Sequence, residues 1–239
     1  MNIAVIFAGG TGQRMNSVSL PKQFLIVHGK PIIVHTVEHF QNCSEIDKIV
    51  IVSLADYIGK VNELVKEFNL TKVVSVVAGG STGQESIFNG LTEAKKISNS
   101  DSDIVLVHDG VRPIINDETI KNNIKCVKEN GNSITVAKSQ ETVLIIENNN
   151  VKDVEDRSKC FLGRAPQSFY LKDLYEAHLK AREINKNDFI DSAMLMRYYG
   201  HKLYTVDGPA NNIKVTTPLD FFMFKAMLDA KESEQIKVV

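Results

Sequence analysis

Five short runs along the chain are nearly continuous in valine and isoleucine: Ile3–Phe7, Lys48–Val52, Lys72–Val77, Ile104–His108 and Ser133–Ala137. Their apolar residues do not alternate with polar ones, the pattern of strands covered on both faces. Between them the apolar residues return at three- and four-residue steps. In Tyr57–Phe68 they are Ile58, Val61, Leu64, Val65 and Phe68, the stripe of one helix face. Ile32–Phe40, Ser86–Ile97 and Thr119–Asn130 are the other helix candidates. This alternation predicts an α/β fold: a mostly parallel, Rossmann-like sheet with right-handed crossovers and helices on both faces. Ligands of such sheets bind beyond the carboxyl ends of the strands, so those ends are where chemistry is expected.

One segment breaks the alternation. Thr142–Ile146 and Val151–Val154 flank Glu147-Asn148-Asn149-Asn150, and asparagine tolerates the left-handed conformation that tight turns need. The pattern predicts a β-hairpin projecting as an arm, about 138–160, from a single domain spanning 1–239. With few apolar residues to anchor it to its own core, the arm is suited to packing on a second subunit. Beyond it, helices are expected near Leu171–Ile184 and Asp191–Tyr199, and a strand at Lys202–Val206. Thr217-Pro218-Leu219-Asp220 opens the last helix, with Thr217 as N-cap and Asp220 in the first turn.

Composition narrows the function. Of 239 residues 24% are charged and the formal net charge is −1, without the basic balance of a nucleic-acid binder. The apolar run Ile3–Ala8 is too short to span a membrane and lacks signal-peptide features. A cytoplasmic enzyme with no membrane partner is expected. Cys43, Cys126 and Cys160 are scattered, with no C-x-x-C pair; buried free thiols are expected, not a disulfide framework or a zinc site.

The chemistry-bearing residues fall at the expected strand ends. The first strand runs into Ala8-Gly9-Gly10-Thr11-Gly12-Gln13-Arg14, a glycine turn whose backbone can approach a ligand and cradle anions. Arg14 follows it, and Lys22 comes within Pro21-Lys22-Gln23; two cations behind such a turn suit a triphosphate. The turn is neither a Walker A loop nor a complete dinucleotide fingerprint, and the second strand ends Val52-Ser53-Leu54-Ala55, without the acidic residue a dehydrogenase needs there. A second glycine turn is Gly79-Gly80-Ser81-Thr82-Gly83, followed by Ser86. The fourth run ends His108-Asp109-Gly110-Val111-Arg112. An aspartate beside a triphosphate is a natural Mg2+ ligand, whereas His108 has no metal-ligating partner at a suitable spacing and reads as structural. Lys214, between Ile213 and Val215 on what reads as a short strand, is a point charge for phosphate.

In this order and spacing, AGGTGQRM, PKQF, the second glycine turn with Ser86, HDGVRP, Ala165–Phe169 and NNIKVTTP resemble the cytidylyltransferase family that makes CDP-methylerythritol and CDP-ribitol, from Ile3 to about Leu228. The resemblance implies a nucleotidyltransferase fold, CTP and a sugar-alcohol phosphate as substrates, and Mg2+. It implies that Arg14, Lys22 and Lys214 bind the triphosphate and stabilise the reacting phosphorus. Ala8, Gly9, Gly10, Thr11, Gly12, Gly80, Ser81 and Ser86 would frame CTP, and Asp109 would hold CTP's phosphates through Mg2+. Thr142 and Arg157 on the arm would hold the acceptor phosphate, across a homodimer, with Asp191 and Arg112, which would also support the Asp109 loop, completing the acceptor side.

Three departures bear on the acceptor and on the second turn. Gly83 stands where the family carries an arginine. Gly163 leans toward the polyol branch, while Arg164 and Ala165 follow neither. Ile190 precedes Asp191 where the methylerythritol branch has a threonine. Losing a polar contact there weakens recognition of methylerythritol phosphate. The sequence therefore favours an alditol phosphate, D-ribitol 5-phosphate first, over 2-C-methyl-D-erythritol 4-phosphate.

Overall fold

The computed structural model describes residues 1–10 and 20–232. In chain order the elements are β1 (Asn2–Ala8), β2 (Ile26–Val27), β3 (Lys30–Pro31), α1 (Ile32–Asn42), β4 (Lys48–Ser53), α2 (Ile58–Glu67), β5 (Val73–Ala78), α3 (Gly83–Ile97), β6 (Ile104–Asp109), α4 (Asp117–Asn130) and β7 (Asn132–Lys138). The second half adds β8 (Leu144–Glu147), β9 (Asn150–Val154), β10 (Phe161–Tyr170), α5 (Leu171–Glu183), α6 (Ser192–Tyr198), β11 (Thr205–Asp207) and α7 (Pro218–Glu232). One sheet of order β11-β7-β10-β6-β1-β4-β5 forms the middle layer. Its strands pair in parallel except β10, which runs antiparallel to both β6 and β7.

All five apolar runs are strands and all four periodic segments are helices, each within a few residues of its expected bounds. The core lies in two layers, as continuous apolar strands require. Ile6, Ile49, Ile51 and Leu106 face α1, α2 and α4; Val5, Val50, Val52, Val105 and Val107 face α3, α5 and α6. A third cluster, around Val111, Val215 and Phe224, seats α7 beside the sheet's carboxyl edge.

Strand β10 was not legible as a strand. Its sequence FLGRAPQSFY places glycine, arginine and proline mid-run, and proline cannot donate to a ladder. The structure accommodates Pro166 by a register shift against β7 between Gly163 and Gln167, a bulge that leaves no ladder bond to be filled by proline. The strand expected at Lys202–Val206 is shorter and later, Thr205–Asp207. Residues 212–216 around Lys214 are not a strand but a segment without regular structure, held by Val215 N–H donating to Val111 O at 2.8 Å.

The arm is the separate two-stranded sheet of β8 and β9. Asn148 and Asn149 take φ of 50° and 63°, the left-handed pair a two-residue hairpin turn requires. Leu144, Ile145, Ile146, Val151 and Val154 are 41–57% exposed. Helix α7 begins as a capping box: Asp220 Oδ2 accepts from the Thr216 and Thr217 amides at 2.9 and 2.7 Å. Among the cysteines only Cys43 is buried. No described helix is long and apolar enough to cross a membrane.

Helix α3 lies close to the sheet because residue 90 has no side chain. A Cβ on Gly90 would stand 2.5 Å from Val5 Cγ1 and 2.7 Å from Val52 Cγ2. Gly90→Ala is therefore expected to lower stability by about 1–3 kcal/mol through overpacking, despite alanine's better helix propensity. A urea unfolding curve checks it; equal or greater stability would contradict this packing.

Candidate active site

The carboxyl ends of β1, β5 and β6 open on a cleft of about 730 Å³, walled by Gly9, Gly10, Lys22, Gly80, Ser86, Asp109 and Lys214 among others. Its floor is a contact between the two glycine turns. A Cβ on Gly79 would lie 3.4 Å from Gly9 Cα and 2.9 Å from Ser86 Oγ; any side chain would wedge the turns apart. Gln23, almost fully buried, ties down the first turn by donating from Nε2 to Ala8 O at 2.8 Å. Thr11, Gly12 and Arg14, expected to continue this turn, lie outside the described residues.

The second turn is braced from within, which accounts for the loop without the arginine that Gly83 replaces. Ser86 Oγ accepts the Gly80 amide at 3.0 Å and donates to Thr82 O at 2.9 Å. Thr82 caps α3 through Oγ1, accepting the Glu85 amide at 3.1 Å. Glu85 Oε2 in turn accepts from Ser81 N and Oγ at 2.8 and 2.7 Å, and these bonds pull the carboxyl below its usual range. The residues expected to frame a nucleotide thus form one rigid frame, with the α3 N-terminus beneath it.

Opposite this frame stands the Asp109 carboxylate. Burial alone would raise its pKa, but the charges of Lys214 and Arg112 outweigh burial and hold it at about 2. Lys214 Nζ lies 2.6 Å from Oδ1, and Arg112 Nε donates to Oδ2 at 3.1 Å. Any stability from this pairing is present above the ordinary value of 3.8 and is lost only as pH falls through about 2. His108 is fully buried, and burial drives its imidazole down to about 3. Neutral Nε2–H donates to Arg112 O at 3.1 Å, the structural role expected of it.

The acceptor-side residues divide. Arg112 is buried and also donates from Nη1 to Asn212 O at 2.7 Å, so it braces the Asp109 loop. Asp191 caps α6, accepting the Met194 amide at 2.8 Å, and takes Gln167 Nε2 at 2.8 Å on its other oxygen. Thr142 and Arg157 sit exposed on and beside the arm and do not line the cleft; Arg157 Nη1 donates to Gln140 O at 3.3 Å. Arg164 is half-buried, and burial and the nearby Arg112 charge lower its pKa. Sequence reasoning missed Gln23, Thr82, Glu85 and Asn212. Thr82 and Glu85 had a usable signal, the T-x-x-E spacing of a capping box; Gln23 and Asn212 act through contacts that only the tertiary fold creates.

Residues 2–230 match the model of the family described as "IspD: 2-C-methyl-D-erythritol 4-phosphate cytidylyltransferase". The chain belongs to this family. It is 53% identical to the ribitol-5-phosphate cytidylyltransferase of Streptococcus agalactiae serotype III (strain NEM316), over 99% of each chain. It is 38% identical to a 2-C-methyl-D-erythritol 4-phosphate cytidylyltransferase of Clostridium botulinum (strain Eklund 17B / Type B), over 92% of this chain and 96% of that one. Among solved structures, the 4-diphosphocytidyl-2C-methyl-D-erythritol synthase of Anaerococcus prevotii matches with a TM-score of 0.82 at 28% identity, over 96% of each chain.

The Gly80–Ser86 frame is the wall of the cleft expected to seat the nucleotide. Ser86→Ala removes both the acceptor for the Gly80 amide and the donor to Thr82 O. Loosening the turn is expected to raise KM for CTP about tenfold, and losing the two internal bonds to lower stability by about 1–3 kcal/mol. Steady-state kinetics with CTP varied check this; an unchanged KM would remove Ser86 from the nucleotide frame.

Proposed function

We propose that the protein transfers CMP from CTP to D-ribitol 5-phosphate, forming CDP-ribitol and pyrophosphate. The observation that carries the acceptor is 53% identity across 99% of the chain to the streptococcal ribitol-5-phosphate cytidylyltransferase, against 38% to the clostridial methylerythritol enzyme. Ile190 supports it: an 88% exposed isoleucine side chain offers no hydrogen bond to an acceptor hydroxyl. CDP-ribitol would then supply synthesis of a cell-wall or capsule polymer.

In this reading an oxygen of the acceptor phosphate attacks the α-phosphorus of CTP in line. The new P–O bond forms as the bond from the α-phosphorus to the bridging oxygen breaks and pyrophosphate leaves. A phosphate monoester is already ionised near neutral pH, so no strong base is needed; catalysis is positioning and charge stabilisation. Lys22 and Lys214, both walls of the cleft, and Arg14 neutralise charge on the triphosphate.

Asp109 fits a divalent cation bound with substrate. Its carboxylate stays ionised at neutral pH, and a cation, the Lys214 ammonium, already sits on Oδ1 at 2.6 Å. No cluster of three or more His, Cys, Asp or Glu side chains suited to a metal occurs among the described residues, which suits Mg2+ held by one carboxylate and phosphate oxygens. When bound, Mg2+ would offset charge on the phosphates at Asp109, and Lys214, still beside that carboxylate, would reach the same phosphates.

The arm completes the reading. Its exposed apolar strands would pack on a second copy, bringing Thr142 and Arg157 to the acceptor phosphate in the neighbour's cleft. Light scattering is expected to give a dimer mass, and Leu144→Asp with Val154→Asp to give an inactive monomer; a fully active monomer would remove the arm from the site. For the acceptor, pyrophosphate release is measured from CTP and Mg2+ with ribitol 5-phosphate, other alditol phosphates and methylerythritol 4-phosphate. Release with ribitol 5-phosphate is expected; release with methylerythritol 4-phosphate alone would overturn the assignment.

A further inference from the structure

Gln84 lies between Gly83 and Glu85 at the start of α3, two residues before Ser86, the serine expected to frame the nucleotide. Its side chain is buried at 6% exposure and leaves the helix entirely. Nε2 donates to Lys186 O at 3.0 Å, and Oε1 accepts the Phe189 amide at 3.1 Å. One amide thus grips both ends of the segment 186–189, and Phe189 behind it is buried in the core. The next residues are Ile190 and Asp191, and Asp191 accepts Gln167 Nε2 while Gln167 Oε1 accepts the Ala193 amide at 2.9 Å. Gln167 pairs with Val107, two residues before Asp109. Hydrogen bonds therefore run from the nucleotide turn, through Gln84 and the segment 186–193, to the strand pair that carries Asp109. Among the described residues, no other side-chain hydrogen bond joins the nucleotide turn to this segment.

We propose that Gln84 is a positioning residue that couples the nucleotide turn to the acceptor-side segment 186–191, so that each substrate tightens the other. The inference rests on the ribitol 5-phosphate reading for its acceptor. A seated nucleotide fixes the Gly80–Ser86 frame and with it the first turn of α3; Gln84 transmits that order to the Phe189 amide and to Asp191 beyond. Coupling of this kind is reciprocal: the factor by which CTP improves acceptor binding equals the factor by which acceptor improves CTP binding. A merely structural tie would lower stability without linking the two affinities.

The test compares the native chain with Gln84→Met, which keeps length and burial but loses the amide, and with Gln84→Glu, which keeps an oxygen for the Phe189 amide. Hydrogen exchange of residues 186–193 is followed with and without CTP and Mg2+, and KM for ribitol 5-phosphate is measured at low and saturating CTP. In the native chain CTP is expected to slow exchange at Phe189 and to lower acceptor KM about tenfold, within the usual range of site-to-site coupling. Gln84→Met is expected to lose both effects with kcat at saturation of both substrates near the native value, and Gln84→Glu to recover part of them. Equal coupling in Gln84→Met and the native chain, or none in the native chain, overturns the proposal. If Gln84→Met unfolds, the same comparison is decided by Gln84→Glu. CTP-dependent protection that vanishes in Gln84→Met, with no turnover of ribitol 5-phosphate by the native chain, rejects the acceptor and supports the coupling.

Discussion

A buried carboxylate between two cations is the constraint on which the site depends. Asp109 stands at the end of a strand, 6% exposed, with little solvent to support its charge, and a lone carboxylate there would be pushed toward its protonated form. Lys214 at 2.6 Å and Arg112 at 3.1 Å keep it ionised. Those two bonds also set the local structure. Lys214 draws the segment before α7 over the cleft, and Arg112 reaches Asn212 of the same segment, whose Nδ2 donates to Ala165 O at 2.9 Å. Three stretches far apart in sequence are thereby fixed around one charge. Such a network contributes more to specificity of geometry than to net stability, because Asp109 and Arg112 both lose most of their water.

The facing wall is built by the opposite device, the absence of side chains. Gly9 and Gly79 let two turns meet backbone to backbone, and Ser86, Thr82 and Glu85 satisfy the amides exposed there. The cleft between has a rigid, nearly neutral wall on one side and cations around an ionised carboxylate on the other. A nucleoside triphosphate has that same division, a weakly polar base and ribose at one end and concentrated charge at the other. Fold and chemistry meet here because both walls stand at carboxyl ends of strands of one sheet, β6, β1 and β5, where a parallel sheet leaves its crevice.

Much of this was legible beforehand, for physical reasons. Strands covered on both faces announce themselves as unbroken Val and Ile, and β1, β4, β5, β6 and β7 emerged at the expected places. The arm was readable because consecutive asparagines mark a two-residue turn, and Asp109, Lys22 and Lys214 because the motif order points to them. Strand β10 was hidden, since proline and arginine in its middle deny the pattern and only a bulge reconciles them. Residues 212–216 were read as a strand because Ile213 and Val215 alternate around Lys214; Val215 is buried against Phe224 of α7 and has no sheet partner. Arg112 was expected to support the Asp109 loop, and its bonds to Asp109 and Asn212 make it that brace. Gln23, Gln84 and Asn212 gave no sequence signal, because a buried amide acts through backbone atoms that are distant in sequence.

The central claim is that Asp109 and Lys214 act as a unit in transfer. A double-mutant cycle of Asp109→Asn and Lys214→Met, read as kcat/KM for pyrophosphate release from CTP with ribitol 5-phosphate, tests it most directly. If the two act as a unit, each single change costs about a hundredfold to a thousandfold, and the double variant is scarcely worse than either alone. Losses that multiply in the double variant would show independent roles and contradict the account.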